Sequence, residues 1–258
     1  MVSRLARFWP RGEFTSPVGR ATLRRGIIYS ATGQFWLDEA INSARQSLRF
    51  NAIPHLIFSD LPVAEPIEGV ECHQFTPSGD PFLDKITTIG RLPFEQTLFL
   101  DTDTFVTDNL DDLFDLLDRF DVAAAHAPGY TKHPDTGQSE AFYDFNTGVI
   151  ALRKTAGVTG FLEDWSKLYR EWSQSPPFHM RTVDQASFRR ALWRSPLAFY
   201  VLSPEYNYRT QYSGRLVGTA KIIHGRVLDY EKLAAHINAE QGPRVFGEFL
   251  PDASTPGG

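Results

Sequence analysis

The chain has 258 residues, 42% of them hydrophobic and 22% charged, a composition that excludes wholesale disorder, collagen and coiled coil. Its net charge of −5 excludes a general nucleic-acid binder, which needs a basic face for phosphates. A single cysteine, Cys72, excludes an intrachain disulfide framework and a Cys-based zinc site.

Residues 1–25 carry Arg4, Arg7, Arg11, Arg20, Arg24 and Arg25 against Glu13 alone, so the rest of the chain is acidic. Pro10, Gly12, Pro17 and Gly19 interrupt any periodicity, and the segment reads as a basic arm. It lacks the apolar stretch of a secretory signal. Leu5, Phe8 and Trp9 among the arginines also suit peripheral contact with a membrane surface. No apolar run approaches the roughly 18 residues that span a bilayer, and the lone cysteine suits a reducing compartment. The expected location is therefore the cytoplasm, with the arm free to touch a membrane.

After the arm, strands and helices alternate. Residues 26–31 read as a strand turning at Thr32-Gly33. A helix follows with Leu37, Ile41, Ala44 and Leu48 on one face. Strands are predicted over 53–58 and 70–75, a helix over 84–92 stopped by Pro93, and a strand over 97–100. A helix is expected from Asp108, with Leu110, Leu113, Phe114 and Leu117 inward. Strands over 122–125 and 147–152 flank a long polar connection, 126–145, of the kind that forms a lid or binding loop. His126, His133 and His179 fall in connections and read as solvated. Helices follow over 158–172 and 183–193, then strands over 199–202 and 221–223. Gly242 opens what reads as a tail to Gly258. This alternation predicts an α/β layer fold with a mainly parallel sheet flanked by helices. The expected boundaries are an arm at 1–25, one domain at 26–241 and a tail at 242–258.

The sharpest motif is the apolar run Thr97-Leu98-Phe99-Leu100 ending in Asp101-Thr102-Asp103. At the carboxyl end of a buried strand the chain enters the ligand crevice. Two close carboxylates repel unless a proton or cation separates them, and oxygen ligands suit Mg²⁺ or Mn²⁺. The bland alternative is a solvated turn before a helix, with Asp108 as N-cap and Asp111 and Asp112 in the first turn. That accounts for the later acids better than for Asp101 and Asp103, which abut the strand.

Four further segments stand in order around this pair. They are Lys85 on the upstream helix, Asn146-Thr147-Gly148-Val149, Val183-Asp184-Gln185, and Ile223-His224-Gly225. As a set they resemble the GT-A nucleotide-sugar glycosyltransferases, most closely those like family 8 (glycogenin and bacterial lipopolysaccharide galactosyltransferases). The resemblance covers about residues 26–230. It implies a single GT-A domain that transfers a hexose from a nucleoside diphosphate sugar, with UDP the expected nucleotide. The acceptor would be an unidentified glycan, lipid or protein.

The same resemblance implies a role for each position. Asp101, Asp103 and His224 would hold Mn²⁺ or Mg²⁺. Lys85 would lie beside the donor. Ala31, Thr32, Gly33 and Phe35 would hold the nucleoside, with Asp60 a weaker candidate. Thr102, Gly225 and Arg226 would line the same donor site. Asn146, Asp184 and Gln185 would surround the donor sugar and carry the chemistry. The family outcome is retention of anomeric configuration by front-face attack. The family histidine usually begins a His-x-x-Gly-x-x-Lys-Pro-Trp run. Here the run is His224-Gly225-Arg226-Val227-Leu228-Asp229, and Arg226 would supply the charge. Two alternatives compete: a nucleotide-sugar-binding protein without turnover, and a haloacid-dehalogenase-type phosphatase, which also uses Asp-x-Asp after a strand.

Overall fold

A computed structural model describes residues 25–63, 66–129, 138–174 and 180–249, with the backbone alone at 180–183. In chain order the elements are β1 (Arg25–Ala31), α1 (Gln34–Leu48), β2 (His55–Ser59), β3 (Val70–Gln74), α2 (Pro81–Ile89), β4 (Gln96–Leu100), β5 (Thr104–Val106) and α3 (Asp111–Leu116). There follow β6 (Val122–His126), β7 (Phe145–Arg153), α4 (Ala156–Ser173), α5 (Met180–Arg194) and β8 (Phe199–Leu202). A 3₁₀ turn over Pro204–Tyr206 leads into β9 (Tyr208–Arg209), β10 (Gly214–Leu216), β11 (Ile222–His224), α6 (Tyr230–Ile237) and β12 (Arg244–Phe246).

Seven strands make the central sheet, in the order β3-β2-β1-β4-β7-β6-β8. All neighbouring pairs are parallel except those of β7, which runs antiparallel to β4 and β6. The sheet is thus mostly parallel, as expected. Its inner strands alternate side chains between two apolar layers. Ile27, Tyr29, Leu98, Leu100 and Val149 pack under α1 and α3, against Leu37, Ala44, Leu113 and Phe114. Ile28, Phe99, Ile150 and Leu152 face α2, α4 and α5, against Ile89, Leu162, Trp165 and Phe188. Burial on both faces is why these strands read as continuous apolar runs rather than alternating ones. Strands β5, β11 and β9 form a second, three-stranded sheet; β10 and β12 pair as a third. With α6 they enclose a smaller core of Tyr208, Leu216, Ile223, Leu233 and Ile237.

Several boundaries differ from the sequence reading. α2 starts three residues early, because the Asp80 carboxylate accepts from the Phe82 and Leu83 N–H groups and Pro81 sits in the first turn. It ends at Ile89, before Pro93; Leu92 then takes a left-handed φ of 39°. α3 starts at Asp111, so Asp108 is not its N-cap. Asn109 instead accepts from the Asp111 N–H, and Asn51 accepts from that of Leu110. Strand β11 includes His224 rather than ending before it. Arg25 belongs to β1 and donates to Gln96 and Asp115. At the other end, β12 pairs with β10 and Phe249 packs on the small core, so ordered chain continues past 241. The arm and its membrane contact, together with His133 and His179, lie outside the described residues. Among the described residues no helix is long and apolar enough to cross a membrane.

Candidate active site

The order of strands reverses between β1 and β4, and in open α/β sheets this is where a crevice opens beyond the strand ends. β1 delivers Ala31-Thr32-Gly33 to that edge and β4 delivers Asp101. Because β7 is antiparallel, its start, Phe145 to Gly148, arrives at the same edge. Beside the crevice, β11 pairs with β5 so that His224 stands opposite Thr104, next to Asp103.

These placements bring Asp101, Asp103 and His224 together, with ligand atoms all within 4.8 Å. His224 Nε2 lies 3.3 Å from Asp103 Oδ1 and 3.7 Å from Asp101 Oδ2. The other ring nitrogen, Nδ1, lies 2.8 Å from Asn207 Oδ1. The orientation of that amide follows from its neighbours. The Gly148 N–H can only donate, and it donates to Asn146 Oδ1 at 3.1 Å. Asn207 Nδ2 donates to the same oxygen at 2.8 Å, which turns Asn207 Oδ1 toward the imidazole. Nδ1 therefore carries a proton, which leaves Nε2, aimed at the two carboxylates, as the ring nitrogen that can offer a lone pair to a bound ion. Two carboxylate oxygens and a neutral imidazole nitrogen form a donor set that fits Mn²⁺ or Mg²⁺, and the backing amide is the usual device for fixing a ligating histidine.

Lys85 lies on the other side of Asp101. Its Nζ is 2.9 Å from Asp101 Oδ1 and 3.5 Å from Asp184 Oδ2, and it donates to Thr147 Oγ1 at 3.2 Å. Thr147 in turn donates to Asp184 Oδ2 at 2.7 Å. Burial alone would lower the Lys85 pKa, but Asp101 and Asp184 outweigh it and hold it above the ordinary value. Burial dominates at Asp184 and pushes its carboxyl up despite Lys85. At Asp103 burial is outweighed by His224, Arg226 and Arg209, which hold the carboxyl below the usual range. The start of α5 is fixed from behind, where Trp165 Nε1 donates to the Asp184 carbonyl at 2.9 Å. Gln185 Oε1 accepts from Asn146 Nδ2 at 3.1 Å.

The first-turn residues form a neighbouring group. Gly33 has φ 94°, a left-handed value that suits glycine, and its N–H donates to Asp60 Oδ1 at 2.8 Å. Thr32 donates to Asp84, tying the turn to α2. Asp60 thus props the turn. Phe35, half-exposed in α1, lies under the Arg226 guanidinium, 5.3 Å from ring centroid to Cζ. Arg226 donates twice to Glu39, at 2.7 and 2.9 Å, and lies 3.8 Å from Asp103 Oδ2. Thr102 donates to the same Glu39. Gly225 has φ 119° and donates its N–H to the Asp103 carbonyl. Every site residue expected from sequence therefore falls in one of these connected groups. Sequence reasoning missed Asn207, Glu39 and Asp84, and gave Thr147, inside a quoted motif, no role of its own. Glu39 had a signal, since it stands four residues after Phe35 on the same helical face.

No family model matches the sequence, and no curated protein matches it. Solved structures do. The apo form of glycosyltransferase GlyE from Streptococcus pneumoniae TIGR4 superposes with a TM-score of 0.53, over 74% of this chain and 48% of that chain, at 17% identity. A second structure of GlyE gives a TM-score of 0.52, covering 73% and 48%, also at 17% identity. The chain thus spans about half the length of these neighbours. At this identity the likeness establishes the fold: a mixed α/β glycosyltransferase fold with helices on both faces of the sheet.

Proposed function

We propose that the chain is a metal-dependent glycosyltransferase that moves a hexose from a nucleoside diphosphate sugar, with UDP as the expected nucleotide, to a glycan, lipid or protein acceptor. The observation that carries this reading is the Asp101-Asp103-His224 cluster, with His224 Nδ1 committed to Asn207 and Nε2 aimed at both carboxylates. The shared fold supports it over a phosphatase.

Asp101, Asp103 and His224 would hold Mn²⁺ or Mg²⁺, which supplies positive charge for the diphosphate as the sugar–phosphate bond breaks. Phe35 and the Thr32-Gly33 turn receive the nucleoside. Arg226, held in place by Glu39, faces the diphosphate side of the cluster. Lys85 binds the donor's anionic or hydroxyl groups from the opposite side. Asn146 and Gln185 fix each other through one hydrogen bond and orient the sugar by their remaining polar groups. Asp184, buried and held by Lys85 and Thr147, contributes a fixed acceptor to a sugar hydroxyl. The acceptor hydroxyl attacks on the face from which the diphosphate departs, its proton passes to the departing phosphate oxygen, and configuration is retained. The order of the motifs is what supports a family 8-like reading.

A thermal-shift screen of nucleoside diphosphates and their sugars, with and without Mn²⁺, tests the donor reading. The expected result is stabilisation by one nucleotide that depends on Mn²⁺ and disappears in D103N. No stabilisation by any nucleoside diphosphate in Mn²⁺ overturns it. Release of free sugar from the stabilising donor separates an enzyme from a binding protein without turnover, and NMR of the transfer product reads the anomer.

A further inference from the structure

The proposed donor groups occupy only half of the crevice. The carboxyl ends of β1, β4, β6 and β8 share one edge of the sheet with the start of β7. Along that edge the first turn, Asp101 and Gly148 lead on to His126 and Leu202. At this far end, away from the first turn, lies a cavity of about 290 Å³. It is near the lower bound of the ~300–1,000 Å³ common for small-molecule sites. Asn207 lines it, so it abuts the back of the ion cluster.

The lining is unusual for an acidic chain. Arg209 and Arg215 both face the cavity, with Tyr208 and Tyr212, and among the described residues no acidic side chain does. Arg209 stands in register with His224 across β9 and β11. Its guanidinium lies over Tyr212, 5.9 Å from the ring centroid, and donates to Gln211 at 3.2 Å. Its Nε is buried without a hydrogen-bond partner, and so is the Tyr208 hydroxyl. Arg215, exposed on β10, has no ion-pair partner among the described residues. A neutral glycan needs acceptors for its hydroxyls. Among the described lining side chains the only carboxamide oxygen, Asn207 Oδ1, is already committed to His224, which leaves Ser213, His126 and the two tyrosine hydroxyls as the neutral acceptors. Donors are in excess, and two guanidiniums match the oxygens of a carboxylate or phosphate.

We infer that this cavity is the acceptor subsite and takes an anionic saccharide, a sugar bearing a carboxylate or phosphate, with Tyr212 as its stacking face and Arg209 and Arg215 on the anion. The inference rests on the glycosyltransferase reading for the word acceptor, but the anion site is testable apart from it.

The full chain is applied to immobilised neutral, uronate-bearing and phosphorylated oligosaccharides, as wild type, R215A, R215K and R194A. Arg194 is a charge-matched control at the end of α5, paired with Asp164 at 3.9 Å. Expected is retention on anionic glycans only, weakened at least ~10-fold in R215A, partly kept in R215K and unchanged in R194A. The uronate and phosphate arms show which anion is read. Equal retention on neutral glycans, an unchanged R215A, or no retention at all overturns the inference. The nucleotide thermal shift runs alongside. Stabilisation by nucleotide without glycan retention overturns this inference alone. Anionic-glycan retention without nucleotide stabilisation supports the anion site and overturns the transferase reading.

Discussion

Replacing Gly148 by alanine tests the ion site without removing a ligand. The φ of Gly148 is not in the left-handed region, so the glycine is there for space. A Cβ at this position would stand 2.7 Å from Asp101 Oδ2 and 2.8 Å from His224 Nδ1, and nearer still to His224 Cε1. Unstrained carbon contacts settle at ~3.5–4.0 Å, so the carboxylate must retreat by about 1 Å and the ring by about 1.5 Å or more. The backbone resists, because β7 is paired on both sides and the Gly148 carbonyl accepts from the Asp101 N–H at 2.7 Å. The ring resists too: it is buried, and swinging away orphans an N–H now held by Asn207. Metal–ligand distances tolerate only about ±0.2 Å. G148A is therefore expected to fold with a loss of ~1–3 kcal/mol from overpacking, or roughly 2–12 °C in Tm. Its Mn²⁺ affinity should fall by at least ~10–100-fold. The free-ion EPR signal during a Mn²⁺ titration measures the affinity directly. Wild-type affinity in a folded G148A would refute the assignment of these three groups as an ion site.

Three other perturbations follow from the same geometry. N207A leaves the His224 Nδ1–H without its acceptor and should lower Mn²⁺ affinity by ~10–100-fold in calorimetry, whereas N207D keeps an acceptor and should retain most of it. K85A leaves the Asp184 carboxylate buried beside Asp101 with no cation between them, so urea unfolding should show a loss of ~3–5 kcal/mol, largely recovered in K85A/D184N. Glu205 accepts from the Val217 and Gly218 N–H groups and steadies the turn that presents Asn207. Burial would raise its carboxyl, but hydrogen bonds from Ser203, Val217 and Gly218 hold it below the ordinary 4.5. A depressed carboxyl contributes stability above its unfolded pKa and loses it as pH falls through the folded one. The gap in Tm between wild type and E205Q should thus be full above 4.5 and close at lower pH; a gap independent of pH would contradict this.

The central sheet was legible because its inner strands are buried on both faces, as in β4, and helices such as α4 carry long apolar stripes. The small sheets were not. Apart from β11, read as a strand over 221–223, they are built from β5, β9, β10 and β12, which have two or three residues each, too few for alternation to register, and whose pairing comes from distant chain. The site followed the same division. Asp101 follows β4 directly, Asn146 and Gly148 open β7, and Lys85 and Asp184 lie on helices, so order along the chain mapped onto one crevice. Asn207 had no such signal. A single amide after a 3₁₀ turn acquires its meaning only when Asn146 and His224 arrive from elsewhere. The N-terminal start of α2 was hidden for a similar reason, since its cap, Asp80, lies in a polar run that reads as loop.

Asp101 and His224 stand more than a hundred residues apart in the chain, yet their ligand atoms almost touch. An ion shared between them acts as a reversible cross-link between the middle of the central sheet and the late, small-core part of the chain. Closing so long a loop restricts the unfolded ensemble more than closing a short one. Chelation should then loosen the whole body rather than the crevice alone, and a backbone cut between the two segments should leave them fastened for as long as the ion stays.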